Sequence, residues 1–190
     1  MTDSDPSKST RSSARSLSPA MIALVAVLIA LTTVFTLALR IPTPAGGYGN
    51  LSDVAITFTG LIFGPWVGMV AGGVGTALAD LIGFPPYAPI SLVAHGLEGL
   101  LIGLIGWRRR SIGWMIIAWL VGSVVMVAVY LVGETFILFH GNWAPALSEV
   151  PLNVFQAIIG GLIGIPLVLA VRKAYPPIDR IGQRSQWTEE

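Results

Sequence analysis

Six apolar segments, at residues 20–39, 51–63, 65–82, 89–107, 112–139 and 147–171, take up most of this 190-residue chain and leave few ways to fold it. A soluble domain carries roughly a quarter charged residues; here the share is 11%, against 54% hydrophobic. The interruptions are the loop IPTPAGGYGN, the pair Gly64-Pro65, the stretch GFPPYAP, the triplet Arg108-Arg109-Arg110 and HGNWAP. Glycine and proline punctuate the chain wherever it must turn. The pattern predicts an all-α membrane protein. The segment 51–82 reads either as two short crossings hinged at Gly64-Pro65 or as one long kinked crossing.

Charge separates these two readings. Cytoplasmic loops are enriched in Lys and Arg. Six crossings with the N-terminus inside place Lys8, Arg11, Arg15, Arg108 to Arg110, Arg172, Lys173, Arg180 and Arg184 in the cytoplasm, ten of eleven basic residues. Only Arg40 is left outside, whereas five crossings would export the arginine triplet. The expectation is six transmembrane helices, N-in and C-in, in the inner (plasma) membrane. Residues 19–173 form the membrane domain, 174–190 a cytoplasmic tail, and the Ser-rich residues 1–18 a disordered cytoplasmic tail. The run from Ala20 to Leu39 is longer than the ~7–15 residues of a signal-peptide core and reads as an uncleaved helix. The segment 51–63 is too short to cross a ~30 Å hydrocarbon layer as a straight helix, a geometry tolerated where other helices or a cavity shield it. Small residues four apart, among them Ala26 and Ala30, Gly68 and Gly72, Gly99 and Gly103, and Gly160 and Gly164, mark faces for close helix contact.

Ionisable groups inside apolar segments point to function. Here they are Asp53, Asp80, His95, Glu98 and Glu134, with Glu149 at the mouth of the last segment. Ser91, His95 and Glu98 fall at i, i+4 and i+7, on one helix face, and Glu149, Asn153 and Gln156 repeat that spacing. Counted from the outer ends, both stripes lie within ~14 Å of the outer surface at ~1.5 Å per residue. Glu134 belongs to the same outer region. Polar groups on three helices with apolar walls between them have the composition of a small-molecule pocket. Each residue also has a plainer reading. Asp53, after Asn50 and Ser52, is a helix cap or a ligand contact. Asp80 serves a site, pairs with Arg40, or is simply tolerated. His95 with Glu98, and Asn153 with Gln156, are ligand contacts or interhelical hydrogen-bond pairs. Tyr48, Tyr87 and Trp143 are interfacial belt residues or stack on a ligand.

The chain has no Cys, which excludes disulfides and thiolate chemistry. His95-xx-Glu98 is at most half a metal site, because zinc or iron needs three or more protein ligands. There is no HExxH, nucleophile elbow or phosphate loop, no cofactor motif, and no basic-aromatic run for nucleic acid. These absences argue against an enzyme.

The run GGYGNLSDVAITFTGLIFGPWVGMVAGGVGTALADLIGFPPYAPISLVAHGLEGLLIG, with the later EVPLNVFQAIIGGLIGIPL, is similar to the substrate-binding S components of energy-coupling-factor (ECF) importers. It resembles most the group containing riboflavin and hydroxymethylpyrimidine-type carriers, over residues 20 to 173. The resemblance implies a six-helix fold in which the loop after the first helix covers an outward-facing site. It also implies capture of a water-soluble vitamin or precursor, and partners comprising a transmembrane coupling subunit and two ATPases. The family's small-residue docking motif falls on Ala26 and Ala30. The substrate-binding set is then His95, Glu98, Glu134, Asn153 and Gln156, with Tyr48, Asn50 and Tyr87 from the flanking loops. Two positions depart from the pattern: His95 stands where relatives often have Lys, and Ser52 where they often have Gly. Two other readings remain open, a solitary proton-coupled carrier and a membrane assembly protein without a ligand.

Overall fold

Proline starts the helices at the breaks expected of it, since its missing N–H is not needed in a first turn. The computed structural model describes residues 18–181, so residues 1–17 and 182–190 of the two expected tails lie outside the described residues. Helix α1 (Pro19–Ala38) begins at Pro19, where the Ser18 hydroxyl accepts the Met21 N–H at 3.3 Å. A two-stranded hairpin follows, β1 (Ile41–Pro42) pairing antiparallel with β2 (Tyr48–Gly49). Helix α2 (Ser52–Phe63) stops at Gly64, whose φ of 94° suits glycine, and α3 (Pro65–Gly83) restarts at once. A 3-10 turn (Pro85–Tyr87) leads into α4 (Ala88–Gly106), and α5 (Ile112–Gly133) runs into a π-helical turn (Glu134–Leu138). The last elements are the long α6 (Trp143–Ala174) and the short α7 (Ile178–Ile181).

Among the described residues, five stretches are long and apolar enough to cross a membrane: α1, α3, Pro85–Gly106, Ile112–Leu138 and α6. The 12-residue α2 is not among them, being only ~18 Å long. Its surroundings explain why it is tolerated. Eleven of its twelve residues are buried, and it packs against α1, α3, α4 and α6, so neighbouring helices take the place of lipid. One end of α2 meets the hairpin. The other meets Trp107, which lies against Gly64, and Arg172, which donates to the Leu61 carbonyl at 3.1 Å. Arg172 also holds Asp179 at 2.9 Å and so ties α2, α6 and α7 together.

The small residues do close-packing work. A methyl on Gly68 would lie 2.6 Å from the Gly99 carbonyl oxygen, and one on Gly72 would lie 2.7 Å from that of His95. The backbones of α3 and α4 are therefore in direct contact, the arrangement that gives helices their attraction in lipid. Gly160 and Gly164 of α6 press in the same way on Asp53 and Thr57 of α2. Ala26 and Ala30 differ, because both are exposed on the outer side of α1.

Candidate functional site

The hairpin is fastened over one end of the bundle by polar ties that the local sequence dictates. Gly46, with φ 97°, turns the chain back on itself, and Thr43 and Gly47 close the turn with a backbone bond of 3.0 Å. This turn brings the Thr43 hydroxyl to Glu149 of α6, to which it donates. Tyr48 donates its phenol to Asp80 of α3. Burial, and then the nearby Asp80 carboxylate, push the Tyr48 phenol above its ordinary range, so it remains a donor. The Asn50 N–H donates to the Gln156 side-chain carbonyl at 3.0 Å, while the Asn50 side chain accepts the Ser52 N–H at 2.8 Å and shapes the entry to α2. Arg40 stacks over the rings of Tyr48 and Phe84 and donates to the Ala79 carbonyl at 3.2 Å. Its guanidinium caps the end of α3, and Asp80 takes the tyrosine instead.

Beneath the hairpin lies a polar cavity. Tyr48 and Asn50 line it from above, and Thr36 of α1 from one side. Thr76 and Asp80 contribute from α3, Tyr87 from the 3-10 turn, and Ser91 and His95 from the first half of α4. Tyr130 and Glu134 come from α5 and its π-helical turn, and Glu149 and Asn153 from α6. The space between these side chains is about 10 Å³, room for one water molecule. Most of the lining groups are already engaged. Ser91 and Tyr130 share a hydrogen bond of 2.6 Å, Asp80 holds Tyr48, and Glu149 holds Thr43. One carboxylate oxygen of Glu134 and the Tyr87 hydroxyl are buried with no partner among the described residues.

One layer deeper, Asp53, His95 and Glu98 form a fully buried cluster. Nδ1 of His95 lies 2.8 Å from Glu98 Oε2 and 3.5 Å from Asp53 Oδ1. This arrangement leaves Nε2 of His95 without a partner among the described residues, and the imidazole packs edge-on against Tyr130 at 5.5 Å. Asp53 does not cap α2; its neighbours are Ser52 and His95.

Of the eight residues expected to bind substrate, the structure brings six, Tyr48, Asn50, Tyr87, His95, Glu134 and Asn153, around one cavity, which Asp80 and, from the polar stripes, Ser91 and Glu149 also line. Glu98 and Gln156 stand behind it, Glu98 on His95 and Gln156 on the Asn50 backbone. Tyr130, Thr36 and Thr76 also line the cavity, although sequence reasoning passed over them. Their signal was a repeat of four: Tyr130 with Glu134, Thr32 with Thr36, and Thr76 with Asp80.

Comparison with known proteins places this architecture. Two solved structures share the fold. FolT bound with folic acid has a TM-score of 0.59 at 21% identity, over 83% of this chain and 95% of that one. The S component of a bacterial ECF transporter has a TM-score of 0.61 at 19% identity, over 80% and 95%. Among curated sequences, an uncharacterised protein of Pyrococcus woesei is 39% identical over 147 residues, 77% of this chain and 97% of its own length. The thiamine precursor transporter HmpT of Lactococcus lactis subsp. cremoris is 34% identical over 165 residues, 85% of this chain and 89% of that protein. The model of the ECF-type riboflavin transporter S component matches residues 16–173. With that match spanning the whole bundle, the chain belongs to the family of ECF-type riboflavin transporter S components, a family of membrane transport subunits and not of enzymes.

Proposed function

We propose that this chain captures riboflavin or a thiamine-precursor pyrimidine at the outer face of the inner (plasma) membrane for ATP-driven uptake. The observation that carries this reading is the polar cavity under the hairpin, set inside an otherwise apolar bundle. His95, Glu134, Asn153, Tyr48, Asn50 and Tyr87 contact the substrate. Glu98 orients His95, and Gln156 holds the hairpin at Asn50. The cavity holds about 10 Å³, whereas small-molecule sites run to ~300 Å³ or more. Entry of substrate therefore requires the hairpin to lift, with release of Thr43 from Glu149 and of Tyr48 from Asp80.

No nucleotide-binding motif occurs in the chain, so energy comes from partners: a transmembrane coupling subunit and two ATPases. The exposed Ala26 and Ala30 face of α1 is the docking surface. Six crossings, N-in and C-in, place the hairpin outside and the arginine-rich end at the cytoplasm. That assignment is supported by α2, which runs from the hairpin to Arg172.

The buried Asp53–His95–Glu98 cluster favours a second reading, a solitary proton-coupled carrier, because such groups relay protons in some carriers. One pair of measurements separates the two. Native mass spectrometry of gently purified protein is expected to find a bound heterocyclic vitamin or precursor. Uptake of that compound in reconstituted vesicles is expected only with the coupling subunit and ATPases present. Uptake by the chain alone, driven by a proton gradient, would establish the second reading instead.

A further inference from the structure

The hydrogen-bond inventory of the cavity is one-sided. Three carboxyl groups line it, those of Asp80, Glu134 and Glu149, and among the described residues no Lys or Arg does. The nearest candidate cation, Arg40, is held between aromatic rings and the end of α3. Asp80 and Glu149 are each engaged by a hairpin hydroxyl. Glu134 differs. It is 1% exposed, it opens the π-helical turn that follows α5, and its Oε2 has no partner among the described residues. A buried acceptor without a donor is unfavourable, and a ligand, water or a proton relieves it. The other unengaged groups at the cavity, Nε2 of His95 and the Tyr87 hydroxyl, are adaptable hydrogen-bonding groups.

We propose that Glu134 sets the substrate class, selecting an amine-bearing or cationic ring and excluding anionic forms of the same molecule. The inference rests on the vitamin-capture reading above and narrows it. An exocyclic amine or protonated ring nitrogen donates to Glu134 Oε2, and the ring edge meets His95 Nε2 and Tyr87. A phosphate or carboxylate placed there would meet three carboxyl groups and no lining Lys or Arg, an arrangement that penalises anionic partners.

The test uses the full chain in detergent and four probes: a hydroxymethyl-aminopyrimidine, its oxo analogue lacking the exocyclic amine, its phosphate ester, and riboflavin. Calorimetric titration is expected to rank the amine tightest, the oxo analogue about tenfold to a hundredfold weaker, and the phosphate ester weaker still. In Glu134→Gln the amine-to-oxo ratio is expected to fall to within about threefold, because the amide retains an acceptor and loses the charge. The wild-type ranking decides by itself should that variant fail to fold. Equal binding of the amine and either analogue overturns the proposal, as does an unchanged ratio in a folded Glu134→Gln. Riboflavin binding with no pyrimidine bound overturns it too, yet leaves the capture reading standing. Binding of none of the four overturns both.

Discussion

A methyl group placed on Gly47 would lie 2.5 Å from a Glu149 carboxylate oxygen and 3.1 Å from the Tyr87 hydroxyl, so a single hydrogen at this position lets the hairpin seat. Gly47→Val is expected to prop the hairpin up and weaken the charge-assisted bond from Thr43 to Glu149, a contribution of about 1.5–3 kcal/mol. Substrate affinity should fall by about tenfold to a hundredfold with the helices intact, as read by titration beside circular dichroism. Unchanged affinity would remove the hairpin from the binding mechanism. Legibility at this scale followed energetic conspicuousness. His95, Glu134 and Asn153 stood out because charged and amide groups are rare in apolar helices. Thr36 and Thr76 did not, because each hydroxyl bonds the carbonyl of its own preceding turn, at Thr32 and Gly72, and so sits in any helix at little cost. Glu98 shares a stripe with His95, but spacing alone does not say which of the two reaches the cavity and which supports the other.

Between residue and molecule, the hairpin is the element that turns a polar cleft into a closed site. Its two strands are only two residues each, too few to stand alone, and its position is set by bonds to α3 and α6. The chain has no native cysteine, so Thr43→Cys with Glu149→Cys offers an unambiguous latch between hairpin and α6. Oxidation of this pair is expected to abolish substrate uptake and reduction to restore at least half of the uptake of the reduced variant, measured in vesicles carrying the complete transporter. Uptake that survives complete cross-linking would mean that substrate enters by another route. The sequence marked this loop by its run of proline and glycine, and marked the break at Gly64-Pro65 for the same reason. The π-helical turn at Glu134 was not legible, since Glu-Thr-Phe-Ile-Leu carries no breaker; its Phe139 N–H reaches back five residues to the Glu134 carbonyl only in the folded bundle.

At the scale of the molecule, the order of apolar segments was legible because a bilayer demands long apolar helices, while the near-complete burial of α2 was not, because the length of its segment alone fits a short crossing or half of a kinked one. On the outside of the bundle, α1 shows Ala26 and Ala30 beside the exposed Ile22, Val27 and Val34. Ala26→Trp with Ala30→Trp is expected to cut uptake by the complete transporter at least tenfold and leave substrate affinity of the isolated subunit within about threefold, since neither residue faces the cavity. Affinity lost in step with uptake would mean that the face serves internal packing. The burial of α2 also has a consequence for biogenesis. A short helix carrying Ser52, Asp53, Thr57 and Thr59 is a poor tenant of lipid, and its cover on one side is Gly160 and Gly164, about a hundred residues downstream. While the ribosome is still making α6, α2 has no finished berth, so the nascent chain depends on its last helix to shelter its second. A chain ended at Gly141 is expected to be cleared several-fold faster than the full-length protein in a pulse-chase experiment, even though every residue of α2 has been made. Equal lifetimes would show that α2 finds shelter before α6 arrives.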